Sequence, residues 1–208
     1  MTARIEKVVT SGQFTLDGGS SDVDNNVWLV GDDAEVIVID APHDAGAILG
    51  AIDGRTVLAI VLTHGHNDHI NAAVELGRLT GAEVWFPPAD RMLWDAEHDT
   101  PPDRELHTGA TFTVAGTVLR AVPTPGHTPG STCLYAEELG AVFTGDTLFA
   151  GGPGATGRSY SDFDTIIDSI RDRLLALPAA TVVHTGHGDD TTIGAEAPHL
   201  DAWIARGS

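Results

Sequence analysis

The chain has 208 residues, enough for one well-filled domain and cramped for two. Its 30 acids against 11 bases give a formal net charge of −19, and so acidic a surface repels phosphate backbones, which excludes nucleic acid as a substrate. One cysteine, Cys133, rules out an internal disulfide, the charged start lacks a signal-like apolar run, and no stretch approaches the ~20 apolar residues of a membrane span. These features predict a soluble cytoplasmic protein with a small-molecule substrate and no nucleic-acid or membrane partner, with a homodimer left open.

In chain order, Val27 to Val30 and Glu35 to Ile39 read as strands, with Asp32 and Asp33 forming the hairpin between them. Asp44 to Ile52 predicts a short helix and Val57 to Leu62 a buried strand. A helix follows over Ile70 to Leu79, stopped by Gly81, then a short strand from Val84 to Phe86. Residues 87–108, with Pro87, Pro88, Pro101 and Pro102, predict a loop-rich surface excursion. Further strands are expected at 111–114, 117–122, 131–136 and 141–144, then a glycine-rich loop from Gly151 to Gly157. A helix from Phe163 to Ala176, a strand from Thr181 to His184 and a helix near Ala195 to Ala205 complete the chain. Strands followed by a helix, twice over, predict two sheets packed face to face with helices outside, in a single domain over residues 1–208.

The densest chemistry is Thr63-His64-Gly65-His66-Asn67-Asp68-His69, where a buried strand gives way to a helix. Three imidazoles and a carboxylate within six residues are nitrogen and oxygen donors of the kind Zn²⁺ and Fe²⁺ accept, and Gly65 lets the chain turn so that His64 and His66 converge. Asp68 alone would read as a helix cap and a lone His as a satisfied polar residue. Three more donors share one placement, a glycine turn at a strand boundary: His127 in Pro125-Gly126-His127-Thr128-Pro129-Gly130, Asp146 in Thr144-Gly145-Asp146-Thr147, and His187 in Gly186-His187-Gly188. Each alone would be a turn residue more often than not. Together they can meet at one edge of a sandwich. Cys133 reads as a buried small residue, His43, His98, His107 and His199 as surface or satisfied groups, and His184, close to His187, as a support behind the donors or a strand-end residue. Ser131 and Ser159 have no His–Asp arrangement of a serine hydrolase.

Over residues 23–197 these segments, with Ile39-Asp40, resemble the metallo-β-lactamase superfamily and, within it, the glyoxalase II-like thioesterases. The resemblance implies a four-layer α+β fold, the αββα sandwich, with two divalent metal ions, zinc foremost and iron as the alternative. It places His64, His66 and His127 on the first metal, Asp68, His69 and His187 on the second, and Asp146 between them. Asp40 is implied as a support for the ligand loop, and Gly157-Arg158-Ser159 resembles the family's glycine-arginine stretch beside the site, which makes Arg158 a candidate anchor for a substrate carboxylate or phosphate, the alternatives being a pairing with a surface acid or a brace of its own loop. Such a pair lowers the pKa of water to about 7 and polarises a carbonyl, with Asp68 orienting the attacking group and taking its proton.

Subfamilies are separated by departures from their patterns. Secreted β-lactamases place a cysteine near the position of Asp146, and RNA-processing members need a basic face; this chain has neither. Glyoxalase II itself carries a C-terminal helical extension, whereas few residues follow His187 here. Ser131 also replaces the second His of its Gly-His-Thr-x-Gly-His stretch, so glutathione is not the expected carrier. The abundance of Arg, Ala, Gly and Asp is typical of a GC-rich, actinobacterial genome, for which mycothiol is the natural carrier thiol. A lactonase and a mononuclear-iron persulfide dioxygenase, using His64, His127 and Asp146 alone, are the enzymatic alternatives. A metal-stabilised binding protein is disfavoured because no ligand is missing.

Overall fold

The structure is a computed structural model describing residues 2–207. A long hairpin opens it: β1 (Arg4–Leu16) and β2 (Gly19–Gly31) pair antiparallel along their whole length. β3 (Glu35–Ile39) adds to β2, with Asp32 Oδ1 holding the turn by accepting from Ala34 N and Glu35 N. The sheet then grows by parallel crossovers. α1 (Ala45–Ile52) leads to β4 (Thr56–Val61), α2 (Asn67–Ile70) and α3 (Ala73–Thr80) to β5 (Val84–Phe86), and α4 (Arg91–Glu97) to β6 (Arg104–Glu105). The second sheet is an antiparallel meander of β7 (Thr111–Val114), β8 (Thr117–Pro123), β9 (Thr132–Ala136) and β10 (Ala141–Gly145). A small ribbon of β11 (Leu148–Phe149) and β12 (Gly152–Pro153) and helix α5 (Phe163–Ser169) follow. β13 (Val182–Thr185) then returns parallel to β10, edged by β14 (Thr191–Thr192), and α6 (Ile193–Glu196) and α7 (Leu200–Arg206) close the chain.

The period of two along each strand sorts side chains into layers. In β3, Ile37 and Ile39 join Trp28 and Val61 against Leu119, Leu134 and Phe143 of the facing sheet. Their neighbours Val36 and Val38 point outward onto Ile48, Ile52 and Leu76 of the covering helices. In the second sheet Leu134 and Phe143 face inward, while Cys133 and Val142 meet Ile166, Ile170 and Trp203. The central strands of both sheets are thus buried on both faces, which explains why they read as apolar runs. The result is the αββα sandwich the sequence predicts.

Several boundaries differ from expectation, each for a physical reason. β1 has no signature in the sequence because its residues alternate between exposed and half-buried, with only Thr10 buried, so no apolar period marks it. Residues 87–108 are not a loop throughout: a 3₁₀ turn at Pro88–Asp90 feeds α4, whose Leu93 and Trp94 are buried, and β6 extends the sheet. The helix expected over 70–79 starts earlier and breaks at Ala72 (φ −100°, ψ 0°). The helix from 163 widens after Ser169 into a π-type turn, Ile170–Leu174, in which Leu175 N donates to Ile170 O. The last helix is interrupted at Ala197–His199, where Pro198 has no N–H to give. Among the described residues, no helix is long and apolar enough to cross a membrane.

Candidate metal centre

All seven predicted donors gather at one edge of the sandwich. His64 and His66 follow β4, Asp68 and His69 sit on α2, His127 lies in the β8–β9 turn, Asp146 follows β10 and His187 follows β13. Three donor groups result, each with ligand atoms within 4.8 Å of one another: His64, His66 and His127; Asp68, His69 and His187; and His64, His69 and Asp146.

In the first group His66 Nδ1 lies 3.1 Å from His64 Nε2 and 3.0 Å from His127 Nε2. Ligands at about 2.0 Å around a tetrahedral zinc are separated by roughly 3.3 Å, so these spacings suit one ion. The far sides of the rings fix their protons. Thr63 Oγ1 donates to Asp40 Oδ2 and therefore accepts from His64 Nδ1, while His127 Nδ1 donates to Ala155 O, 2.9 Å away. Burial pushes the pKa of His64 and of His127 down, and burial with the nearby His127 takes His66 to about 3, so all three rings are neutral. His64 Nε2 and His127 Nε2 then carry bare lone pairs. The one His66 proton can serve only one of the two short contacts, so at least one pair of lone pairs meets unrelieved. A cation relieves it.

The second group includes a carboxylate. His69 Nε2 and His187 Nε2 lie 3.3 Å apart, and Asp68 Oδ2 is 3.8 and 3.4 Å from them. Their Nδ1 atoms donate outward, His69 to Asp40 Oδ2 at 2.9 Å and His187 to Asp24 O at 2.7 Å. Burial depresses both rings, but Asp146 and Asp68 outweigh it: the pKa of His69 rises well above its ordinary value, and that of His187 is pushed up to about 10. Among the described residues no Lys or Arg pairs with Asp68 or Asp146, and Asp68 Oδ1 is buried without a hydrogen-bond partner. Two buried carboxylates thus call for positive charge, which protons or a metal ion supply. The donor set fits two ions.

Asp146 spans the two groups. Its Oδ2 is 3.5 Å from His127 Nε2 and 3.3 Å from His187 Nε2, and its Oδ1 is 3.3 Å from His69 Nε2. Gly186 must be glycine here, since a Cβ would collide with Asp146 Oδ1. Asp40, held at φ 60°, accepts from Thr63 N at 2.7 Å besides Thr63 Oγ1 and His69 Nδ1, so it orients both the His64–His69 loop and the His69 ring. Arg158 lines the pocket over the donors, its guanidinium 5.1 Å from the Phe14 ring. The other histidines stay out of the donor groups. His184 donates to Asp190 and packs on Trp28 and Phe143, His98 reaches Ile70 O, and His107 pairs with Glu105 at the surface. Cys133 is fully buried, and burial pushes its thiol pKa up to about 11.

Three contributors escaped the sequence. Asp90, fully buried, accepts from Gly65 N at 2.8 Å, Gly130 N at 2.6 Å and Thr128 Oγ1 at 2.6 Å, welding the His64–His69 loop to the His127 turn. A Cβ at Gly65 or Gly130 would press into Asp90, which explains both glycines. Phe14, on the β1–β2 hairpin, packs edge-on against His66 at 5.2 Å and roofs the site, the hairpin being tied down by Asn67 Nδ2 to Gln13 O and Ser159 N to Asp17 Oδ2. Asn25, fully buried on β2, directs its amide into the second group. The pocket beneath the roof has a volume of about 140 Å³.

Residues 21–187 match the Metallo-beta-lactamase superfamily, and the chain belongs to that family as a metal-dependent hydrolase with a site for divalent metal. It is 33% identical over 188 residues, 82% of this chain and 89% of the relative, to hydroxyacylglutathione hydrolase GloC of Haemophilus influenzae. Among solved structures it is similar to TTHA1623 in a di-iron-bound form, with a TM-score of 0.75, 32% identity and coverage of 84% of this chain and 93% of that one. It is also similar to ETHE1 from Myxococcus xanthus, with a TM-score of 0.72, 26% identity and coverage of 95% and 89%.

Proposed function

We propose that the chain is a dinuclear hydrolase that cleaves the thioester of a small-molecule thiol, with zinc as the expected metal. The observation that carries this reading is the reach of the Asp146 carboxylate to donors of both groups, His127 on one side and His69 and His187 on the other. His64, His66 and His127 would hold one ion, Asp68, His69 and His187 the other, and Asp146 both. Two such ions would bring the pKa of water to about 7 and polarise a carbonyl oxygen.

The chain's own groups do the rest. Asp68 lines the pocket, and its unpartnered Oδ1 is available to orient an attacking water and accept its proton. Asp40 fixes the His69 ring through Nδ1, so Nε2 faces inward. Phe14 and Val23 offer an apolar wall to an acyl chain, and Arg158, with no carboxylate in ion-pairing range among the described residues, offers a cation to an anionic group. In a chain of net charge −19, an unpaired Arg beside the site favours an anionic acyl thioester over a lactone. The relative named for hydroxyacylglutathione hydrolysis supports thioester chemistry, while Ser131 at the turn after His127 supports a carrier thiol other than glutathione, of which mycothiol is one.

The test pairs elemental analysis with a substrate panel. Two metals per chain and faster turnover of anionic thioesters than of lactones are expected. One tightly bound iron with oxygen consumed on a persulfide would sink the hydrolase reading, and a preference for lactones would replace the substrate class.

A further inference from the structure

The side chain of Asn25 is fully buried, and its Nδ2 lies 3.1 Å from Asp68 Oδ2, 3.3 Å from His69 Nε2 and 3.4 Å from His187 Nε2. An amide can turn either end inward: the carbonyl oxygen would welcome a cation, and the NH₂ repels one. Which end faces the donors is decided on the far side. Asn71 Oδ1 accepts from His43 N at 2.6 Å, so Asn71 Nδ2 is the atom left to face His43 Nδ1, 3.3 Å away, as its donor. His43 Nδ1 therefore accepts, and its single proton sits on Nε2, which donates to Asn25 Oδ1 at 2.9 Å. The carbonyl of Asn25 is engaged outward and its NH₂ points in. His43 is held in this relay by a left-handed backbone, φ 58°, that few residues other than glycine adopt.

The two donor groups are unlike in this respect. Among the described residues no side-chain amide NH₂ is directed at His64, His66 and His127, whereas the second group meets the positive end of an amide dipole and loses part of Asp68 Oδ2 to its hydrogens. We infer that Asn25 is a latch on the second metal position: the Asn71–His43 relay keeps its NH₂ inward, which weakens binding of the ion held by Asp68, His69 and His187 and leaves the first position untouched. Turning the amide about its last torsion would bring Oδ1 inward, but His43 would then have to move its proton to Nδ1, against the Asn71 NH₂. The relay opposes the turn, and Asn71, though remote from the donors, sets the latch. This inference rests on the reading that both groups hold ions.

Loaded protein is dialysed against Zn²⁺ buffers of graded free concentration, and retained zinc per chain is counted by elemental analysis, with no assay of turnover. In Asn25→Ala one of the two half-occupancy points is expected at a free zinc at least ten-fold lower than in wild type, and the other within two-fold. Ten-fold corresponds to about 1.4 kcal/mol, the order of one net hydrogen bond. Asn71→Ala, which leaves Asn25 in place and removes only the key of the relay, is expected to move the same point in the same direction, and it carries the test if Asn25→Ala fails to fold. If wild type holds one ion at saturation and either variant holds two, the latch is supported in its strongest form. Half-points that stay within two-fold, that shift equally, or of which one rises overturn it, the last by showing that the Asn25 carbonyl ligates. A single ion in wild type and variants alike overturns it together with the two-ion reading, whereas two ions of unchanged affinity overturn the latch alone.

Discussion

Asp90 is a buried carboxylate whose three hydrogen-bond partners are neutral donors, Gly65 N, Gly130 N and Thr128 Oγ1. Burial raises its pKa, the three bonds lower it, and the balance pushes it up to about 6. In the unfolded chain the same carboxyl titrates near 3.9. The folded state therefore binds the proton more tightly, so this group adds stability as pH falls through 6 toward 4 and loses it as pH rises through the same window. For a folded pKa of 6, the gain between pH 7.5 and pH 5 is about 1.4 kcal/mol. Asp90→Asn keeps the size and cannot titrate. Its amide retains one acceptor and turns NH₂ toward a backbone donor, orphaning an N–H at roughly 1–3 kcal/mol, while the relief of the buried charge offsets about as much at neutral pH. The variant is expected to lie within about 2 kcal/mol of wild type at pH 7.5 in urea unfolding and to fall behind by a further ~1.4 kcal/mol at pH 5. The metal-site histidines titrate in both proteins, so the difference between the two isolates Asp90. A difference constant to within about 0.5 kcal/mol over that range would refute the raised pKa and with it the view of Asp90 as a charge buried at a net cost.

Asp146→Ala should lower metal occupancy at both positions together and abolish turnover; metal counts near two with normal rates would remove it from its bridging place. Arg158→Ala should raise KM for an anionic thioester about ten-fold or more, for a lost charge-assisted contact of ~1.5–3 kcal/mol, and leave a neutral thioester much less affected. Equal losses on both substrates with a lowered melting temperature would assign Arg158 to bracing the roof through Phe14. Phe143→Ala, at the meeting of the two sheets, should cost about 3–5 kcal/mol in denaturant unfolding without a change in metal stoichiometry.

What could be read from the sequence follows the range of the forces involved. Strands buried on both faces advertise themselves as apolar runs, so β3, β4 and β10 were legible, and the His64–His69 motif was legible because its donors are neighbours in the chain. The hairpin tip carrying Phe14 was not, since a ribbon with both faces near solvent has no apolar period to read. Asp90 was hidden for another reason. It looks like an ordinary acid after two prolines, and Gly65 and Gly130 stand 25 and 40 residues away, in segments where glycine reads simply as a turn former. Those glycines are there for room, to let a carboxylate in.

The same contrast separates ligands from the groups that control them. A candidate donor is recognised by its type, because few side chains hold zinc or iron, and seven such residues at strand ends and on the helix after one stand out in the sequence. The controlling groups are common residues whose role lies in which way they point. Asn25, His43 and Asn71 are individually unremarkable in the sequence, and His43 reads there as a satisfied surface residue. It is indeed satisfied, but its two partners form a directional chain that ends on the donors of the second position. Direction in such a relay is set by one backbone N–H, that of His43, which claims the Asn71 carbonyl and thereby orders every proton downstream. Metal affinity in this fold is therefore open to tuning by substitutions that touch no ligand, and a chain with all seven donors intact can still differ from its relatives in how many ions it carries.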